Sequence, residues 1–107
     1  MTSINIVRNQ QKQVVEFTVT GHSKYAKYGE DIVCAGISAL TQAALLGLLE
    51  HLKIPVNHQV QAGFLKVTLP ENHLDARSDA ILESMVLGLK QIAQAYKKYV
   101  RIQESGR

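Results

Sequence analysis

The chain has 107 residues, of which 46% are apolar, and its formal net charge is +3. This length suits one domain around one hydrophobic core and excludes a second domain of ordinary size. The basic residues are scattered apart from a group near the C-terminus, without the dense basic stripe that is typical of nucleic-acid-binding proteins. We therefore expect a single domain over residues 1–107 that does not bind nucleic acid directly.

The sequence favours the cytoplasm as the location of the protein. Its single cysteine, Cys34, excludes an internal disulfide. The N-terminal residues lack the basic, apolar and small-residue segments of a secretory signal peptide. A long apolar stretch runs from Ile32 to Leu49, but polar residues such as Ser38 and Thr41 interrupt it, so a buried helix explains it better than a membrane span. We expect no membrane partner.

The N-terminal third predicts a β-hairpin followed by a long loop. Apolar and polar side chains alternate over residues 4–6 and again over residues 15–19, with a polar turn at residues 9–12 between them. The residues from Gly21 to Glu30 follow no regular period, and a loop of this length is often functional. We expect a mobile loop over about 22–33.

A hydrophobic helix is predicted next. Asp31 is a good N-cap residue, which would place Cys34 at the third helical position, and Pro55 would end the helix near Lys53. Apolar residues surround the middle of this segment. We therefore expect neighbouring elements to cover the helix on several sides.

The second half repeats the hairpin and helix pattern. Residues 56–60 and 65–69 alternate about Ala62-Gly63, which predicts a hairpin with glycine in the turn. A second helix should begin between Asn72 and Ser78, because apolar residues then recur at intervals of three and four as far as Tyr96. A short strand over 99–102 and a frayed tail over 104–107 would follow.

The predicted order is ββαββαβ, an α+β fold in which a largely antiparallel sheet packs against two helices. Its strands and helices do not alternate singly, as they would in a doubly wound parallel sheet. We expect one small domain of this class.

Cys34 is the candidate catalytic residue. A cysteine in the first turn of a helix lies close to unpaired N–H groups and the positive end of the helix dipole, and both favour the thiolate. A lone cysteine is nevertheless more often a small buried hydrophobe. The nearby His22, the acidic residue before Cys34 and Gly36 after it favour a functional role.

The segment from Gly21 to Ser38 contains the groups that a thiol-dependent acyl transfer requires. Cys34 would attack a carbonyl, and His22 would stabilise the thiolate and protonate the leaving amine. Backbone N–H groups over residues 32–35 could stabilise the oxyanion. Asp31 could orient His22, although helix capping already explains it, and Ser38 could donate to substrate or bond to the helix backbone.

The remaining motifs indicate neither a metal nor a cofactor. His51, His58 and His73 lack the close spacing to a second ligand that a zinc site requires. The sequence contains neither a Walker motif nor a Gly-x-Gly-x-x-Gly fingerprint, which disfavours a nucleotide-dependent enzyme.

The stretches GHSKYAKYGEDIVCAGIS, which begins at Gly21, and VLGLKQIAQAYKKYV, which begins at Val86, resemble the ribosomal-processing cysteine protease family, Prp, of Firmicutes and related bacteria. The resemblance covers nearly the whole chain. It implies that Cys34 is the nucleophile and His22 its proton-transfer partner. It also implies homodimers, and a substrate that is the precursor of a large-subunit ribosomal protein. The enzyme would remove a short N-terminal extension after a hydrophobic, Phe-rich motif, so that the ribosome can use the mature protein.

The resemblance also implies a mobile loop between His22 and Cys34, and this loop carries Tyr25 and Tyr28. We hypothesise that the loop orders over bound peptide and that the two rings help to form pockets for phenylalanine side chains. Alternatively, both tyrosines anchor a surface loop. Because the connection is long, we expect His22 and Cys34 to lie too far apart for a hydrogen bond before substrate binds.

Two other functions remain open at this point. The chain could be a non-catalytic ribosome- or RNA-associated module with an inert Cys34. It could instead perform thiol chemistry without cleavage, as a redox sensor or acyl carrier, although the absence of a second cysteine disfavours an internal resolving partner.

Overall fold

Five strands and two helices follow one another in the predicted order ββαββαβ. The computed structural model describes residues 1–27 and 30–107. Its elements are β1 (Thr2–Arg8), β2 (Val14–Thr20), α1 (Ile32–Leu46), β3 (Asn57–Gln61), β4 (Phe64–Thr68), α2 (Ala76–Ala95) and β5 (Val100–Gly106). A π-helical turn at Gly47–His51 prolongs α1, and a 3-10 turn at Glu71–His73 precedes α2.

The strands form one mixed sheet in the order β3-β4-β2-β1-β5. The pairs β1/β2, β2/β4 and β3/β4 are antiparallel, whereas β5 pairs with β1 in parallel. The expected α+β class and largely antiparallel sheet are therefore confirmed. Register places Ile6, Phe17 and Val67 side by side on one face, and all three side chains are fully buried. The hydrophobic core thus lies between this face and the helices.

The two helices pack closely against each other and against the core. A Cβ atom added at Gly36 would lie 3.3 Å from Cδ1 of Ile92 on α2, so the small residue allows the helices to approach. By length and composition, the helical segment Ile32–His51 is long and apolar enough to cross a membrane. Helices in the cores of soluble proteins can have the same length and composition. In this fold Ile37 and Leu48 of that segment are buried in the core.

Two predicted boundaries were wrong. Residues 104–106 are not a frayed tail, because β5 runs to Gly106 and pairs with β1 along its whole length. Glu104 also forms ion pairs with Arg8, at 2.6 Å, and with Lys90, at 3.0 Å. The loop predicted over 22–33 ends at Asp31, because Ile32 and Val33 already belong to α1.

One buried hydroxyl is expected to reduce the stability of the fold. Thr2 is 2% exposed, and its Oγ1 has no hydrogen-bond partner among the described residues. Burying an unpaired hydroxyl costs free energy, and valine has nearly the same shape without it. We expect Thr2→Val to raise the free energy of unfolding by about 1 kcal/mol, as measured by urea denaturation.

Thr41→Val is the matched control for this prediction. Thr41 is also 2% exposed, but its hydroxyl donates to the Ile37 carbonyl at 2.8 Å. Removing that hydroxyl should give no gain in stability. An equal gain in both variants would show that added apolar volume, rather than the unpaired hydroxyl of Thr2, explains the effect.

Candidate active site

Cys34 is the third residue of α1, as predicted, and Asp31 is the N-cap. One carboxylate oxygen of Asp31, Oδ1, accepts hydrogen bonds from the backbone N–H groups of Val33 and Cys34, both at 3.0 Å. The capping carboxylate therefore fixes the first helical turn at the position of the thiol. The Cys34 side chain is partly exposed, so its sulfur is not part of the closed core.

The second oxygen of Asp31 fastens the preceding loop to the start of the helix. Oδ2 accepts hydrogen bonds from the backbone N–H of Tyr25, at 3.0 Å, from that of Ala26, at 3.4 Å, and from the hydroxyl of Ser23. Although desolvation opposes ionisation, the hydrogen bonds from Ser23 and the backbone lower the pKa of Asp31 to about 2. Asp31 is therefore an anion at neutral pH.

Ser23 contacts the sulfur directly, and sequence reasoning missed it. Its side chain is 1% exposed. Its backbone N–H donates to Sγ of Cys34 at 3.3 Å, and its hydroxyl oxygen lies 3.2 Å from the same atom. A serine in a polar loop is too common to attract notice. The available signal was its place in the chain, directly after His22 and within reach of a capping carboxylate.

His22 lies two residues after the end of β2, beside the turn of the second hairpin. The backbone N–H of Gly21 donates to the Gly63 carbonyl at 2.8 Å, which ties the residue before His22 to this turn. A Cβ atom added at Gly63 would lie only 3.0 Å from Nε2 of His22, so the imidazole rests against the glycine. In the described part of the chain no hydrogen bond joins His22 to Cys34, whose sulfur instead contacts Ser23.

An open groove of about 880 Å³ brings these residues to one surface. His22 and Cys34 both line it, together with Asp31 and with Ser38, one helical turn after the thiol. Apolar side chains form much of the remaining wall: Val19, Ile37, Val60, Phe64 and Leu65. A thiol and an imidazole that line the same groove are suited to attack on a carbonyl of a bound chain.

Of the two tyrosines that the sequence places in the loop, only Tyr25 lies within the described residues. The ring of Tyr25 packs edge-on against Tyr96 and Tyr99, with centroid distances of 5.4 and 5.3 Å. These contacts favour the alternative that Tyr25 anchors the loop. Tyr28 lies outside the described residues.

Most of the backbone N–H groups near the thiol, which the sequence offered as donors to the oxyanion, already donate hydrogen bonds at the start of α1. Asp31 Oδ1 accepts from the N–H groups of Val33 and Cys34, and the Asp31 carbonyl accepts from that of Ala35 at 3.1 Å. Three of the four N–H groups over residues 32–35 therefore already have partners. For metals, no group of three or more His, Cys, Asp or Glu side chains over residues 1–27 and 30–107 could hold an ion.

Acid is expected to remove the stabilisation that Asp31 provides. Its folded-state pKa, about 2, lies below the ordinary aspartate pKa of 3.8. The contribution is therefore fully present above the unfolded pKa and is lost as pH falls from 3.8 towards 2. We expect Asp31→Ala to lower the free energy of unfolding by about 2 kcal/mol at neutral pH, and its difference from the wild type to shrink across that window. Urea denaturation at several pH values measures both effects, and a difference that stays constant down to pH ~2 would contradict the assignment.

Comparison with known proteins identifies the family of this chain. The sequence model of one family, described as cysteine protease Prp, matches residues 1–101. The ribosomal processing cysteine protease Prp of Bacillus subtilis is 29% identical over 107 residues, covering 95% of this chain and 96% of that protein. Its counterpart from Staphylococcus aureus is 28% identical over 105 residues, covering 95% and 97%.

A solved structure has the same fold. The crystal structure of an essential ribosomal processing protease Prp from S. aureus, in complex with a covalently linked product peptide, superposes with a TM-score of 0.90. It is 23% identical and covers 97% of this chain and 99% of that one. Because the family model spans nearly the whole sequence, the resemblance inferred from the residues is confirmed: this chain belongs to the Prp family of cysteine proteases.

Proposed function

We propose that this protease removes a short N-terminal extension from a bacterial large-subunit ribosomal protein, cutting after a hydrophobic, Phe-rich motif. The observation that carries the proposal is the placement of Cys34 in the first turn of α1, in a groove that His22 also lines. The relatives named as ribosomal processing proteases support this substrate class. An RNA-associated module and a redox sensor would not explain membership of a protease family.

In the proposed reaction, Cys34 is the nucleophile and His22 moves the proton. The imidazole accepts the thiol proton, and the sulfur attacks the scissile carbonyl to form a tetrahedral intermediate. His22 then gives the proton to the leaving amine, which yields a thioester between Cys34 and the N-terminal part of the substrate. Water hydrolyses this thioester, and His22 acts as the general base for that step.

The groove suits the proposed peptide by size and by lining. A binding site of this volume holds several side chains, and apolar walls favour aromatic ones. Burying one phenylalanine side chain is worth about 2 kcal/mol, so two such residues could account for much of the affinity for a short peptide. Ser38 is exposed on the same wall and is our candidate for a polar contact to the peptide backbone.

A synthetic peptide that spans the precursor junction tests this function. We expect cleavage on the C-terminal side of the Phe-rich motif, detected by mass spectrometry, and no cleavage by Cys34→Ser. The matched control peptide carries alanine in place of the phenylalanines and should be cut at least tenfold more slowly, as two lost apolar contacts require. Cleavage of both peptides at equal rates would contradict the proposed specificity.

We also propose that the enzyme is a homodimer that uses the exposed face of α1. Ile32 and Leu46 are 60% and 56% exposed, and Ala39 and Ala43 lie between them on the exposed side. Such a stripe at intervals of three and four residues is typical of a helix that packs against a partner. Light scattering should show a dimer for the wild type and a monomer for Leu46→Glu, whereas Gln91→Glu on α2 should remain dimeric. A monomeric wild type, or a dimeric Leu46→Glu, would contradict this proposal.

The cytoplasm is the proposed location of the enzyme. A ribosomal-protein precursor is made there, and a reducing environment keeps a lone thiol available for catalysis. Cell fractionation with an antibody against the protein tests the location, and recovery in the membrane or extracellular fraction would contradict it.

A further inference from the structure

Ser23 connects the reactive sulfur to one oxygen, Oδ2, of the Asp31 carboxylate. Its hydroxyl oxygen lies 3.2 Å from Sγ of Cys34 and donates to Oδ2 of Asp31. The side chain is 1% exposed, so protein atoms rather than solvent surround this hydroxyl. The hydroxyl of Ser23 must therefore donate its hydrogen bond to one of these protein neighbours.

The single proton of the Ser23 hydroxyl limits which hydrogen bonds this group can donate. Asp31 is ionised at neutral pH and can only accept, so its bond with Ser23 uses the single hydroxyl proton. The serine oxygen then presents only lone pairs to the sulfur. The contact between Ser23 and Cys34 is a favourable hydrogen bond only when the sulfur carries its own proton and donates it.

We propose that the Ser23 hydroxyl is a proton selector, which holds Cys34 as a thiol in the free protein and stabilises the thiolate only after it turns from Asp31 to the sulfur. This inference rests on the proposed role of Cys34 as the nucleophile. Ser23 touches the reacting atom, whereas Asp31 acts through Ser23 as a positioning residue. The backbone N–H of Ser23 donates to Sγ at 3.3 Å in the free protein and does not depend on the hydroxyl.

Activation transfers one proton and rotates one hydroxyl. The proton on Sγ passes to the imidazole of His22, which becomes an imidazolium ion. The Ser23 hydroxyl keeps its proton but redirects it from Oδ2 to the new thiolate. Asp31 keeps its charge and its hydrogen bonds from the backbone of Tyr25 and Ala26, so the loop stays attached. Lys24 and Lys27 are the other charged side chains that line this groove.

Alkylation of the only cysteine measures the state of the thiol without any substrate. The rate with iodoacetamide, a neutral reagent, is measured at about pH 7 and divided by the rate at about pH 10, where thiols are ionised and the rate reports access alone. We expect Ser23→Ala to raise this ratio about fivefold, because the thiol loses its acceptor and the thiolate no longer faces an oxygen lone pair. An unchanged or lower ratio would overturn the proposal.

A double-mutant cycle tests whether Asp31 acts through Ser23. Asparagine at position 31 keeps an oxygen that can cap the helix but removes the carboxylate that holds the hydroxyl proton. We expect Asp31→Asn to raise the ratio about tenfold in the wild type and at most about threefold in Ser23→Ala. The same increase in the presence and in the absence of the Ser23 hydroxyl would show that the Asp31 charge acts on the thiol directly. That result would overturn the proposal that Asp31 acts through Ser23.

The outcome is separable from that of the proposed function. Cys34→Ser should show no alkylation, which establishes that the signal comes from this residue alone. If the junction peptide is not cleaved but Ser23→Ala raises the alkylation ratio, the proposed substrate is wrong and the proposed role of Ser23 is supported. If the peptide is cleaved but the ratio is unchanged, only the selector fails.

Discussion

Replacing Cys34 with serine is expected to abolish peptide cleavage. The hydroxyl of serine is far less acidic than a thiol, so it is a much weaker nucleophile at this position. We expect kcat/KM to fall by at least about 10⁴-fold, with the junction peptide as substrate. Because serine is close to cysteine in size and the site is partly exposed, the variant should unfold at nearly the same urea concentration as the wild type.

His22→Ala should have a smaller but still large effect. General acid and base catalysis typically contributes about 10² to 10⁴ in rate, and no other histidine lines the groove. His73→Ala is the matched control, because His73 is exposed in the turn before α2 and does not line the groove. Equal activity of the two variants would contradict the role of His22, and residual activity in Cys34→Ser above the stated limit would contradict that of Cys34.

The elements that local patterns determine could be predicted from the sequence. Alternation over residues 4–6 and 15–19 gave the first hairpin, and Ala62-Gly63 gave the turn of the second. Asp31 followed by an apolar run placed the helix start correctly, and with it Cys34 at the third helical position. These features depend on neighbours in the chain, which the sequence displays directly.

Features that depend on distant contacts could not be predicted. β5 pairs with β1, about a hundred residues earlier, and the ion pair of Glu104 with Arg8 reinforces this pairing. The tail therefore reads as polar and frayed in isolation although it completes the sheet. Ser23 was missed for the same reason, because its importance arises only when the Asp31 carboxylate draws the loop back to the sulfur.

The sulfur of Cys34 has other polar neighbours besides the start of the helix. Cys34 lies in the first turn of α1, and its sulfur accepts a hydrogen bond from the backbone N–H of Ser23. The ionised Asp31 lies one hydroxyl away from the same sulfur. In the proposed arrangement Ser23 keeps the proton on Cys34 until His22 and substrate are in place, which would limit the reaction of the thiol with other electrophiles.

Gly63→Ala is the third variant for which we expect a loss of activity. Gly63 has a φ of 72°, a left-handed conformation that alanine adopts at a cost of about 1 kcal/mol. Its added methyl group would lie 3.0 Å from Nε2 of His22, so the ring must move. Because a displacement of about 1 Å can reduce a rate about 10²-fold, a shift of a few tenths of an ångström should lower kcat/KM for the junction peptide by about threefold to tenfold.

Gly106→Ala is the matched control, because a methyl group there would meet no atom within 4 Å. It should leave cleavage unchanged. The loss in Gly63→Ala should also persist at urea concentrations and temperatures where circular dichroism shows the variant fully folded, since a displaced ring rather than unfolding is its cause. If Gly63→Ala is as active as Gly106→Ala, contact with this turn does not determine the position from which His22 takes the proton of Cys34.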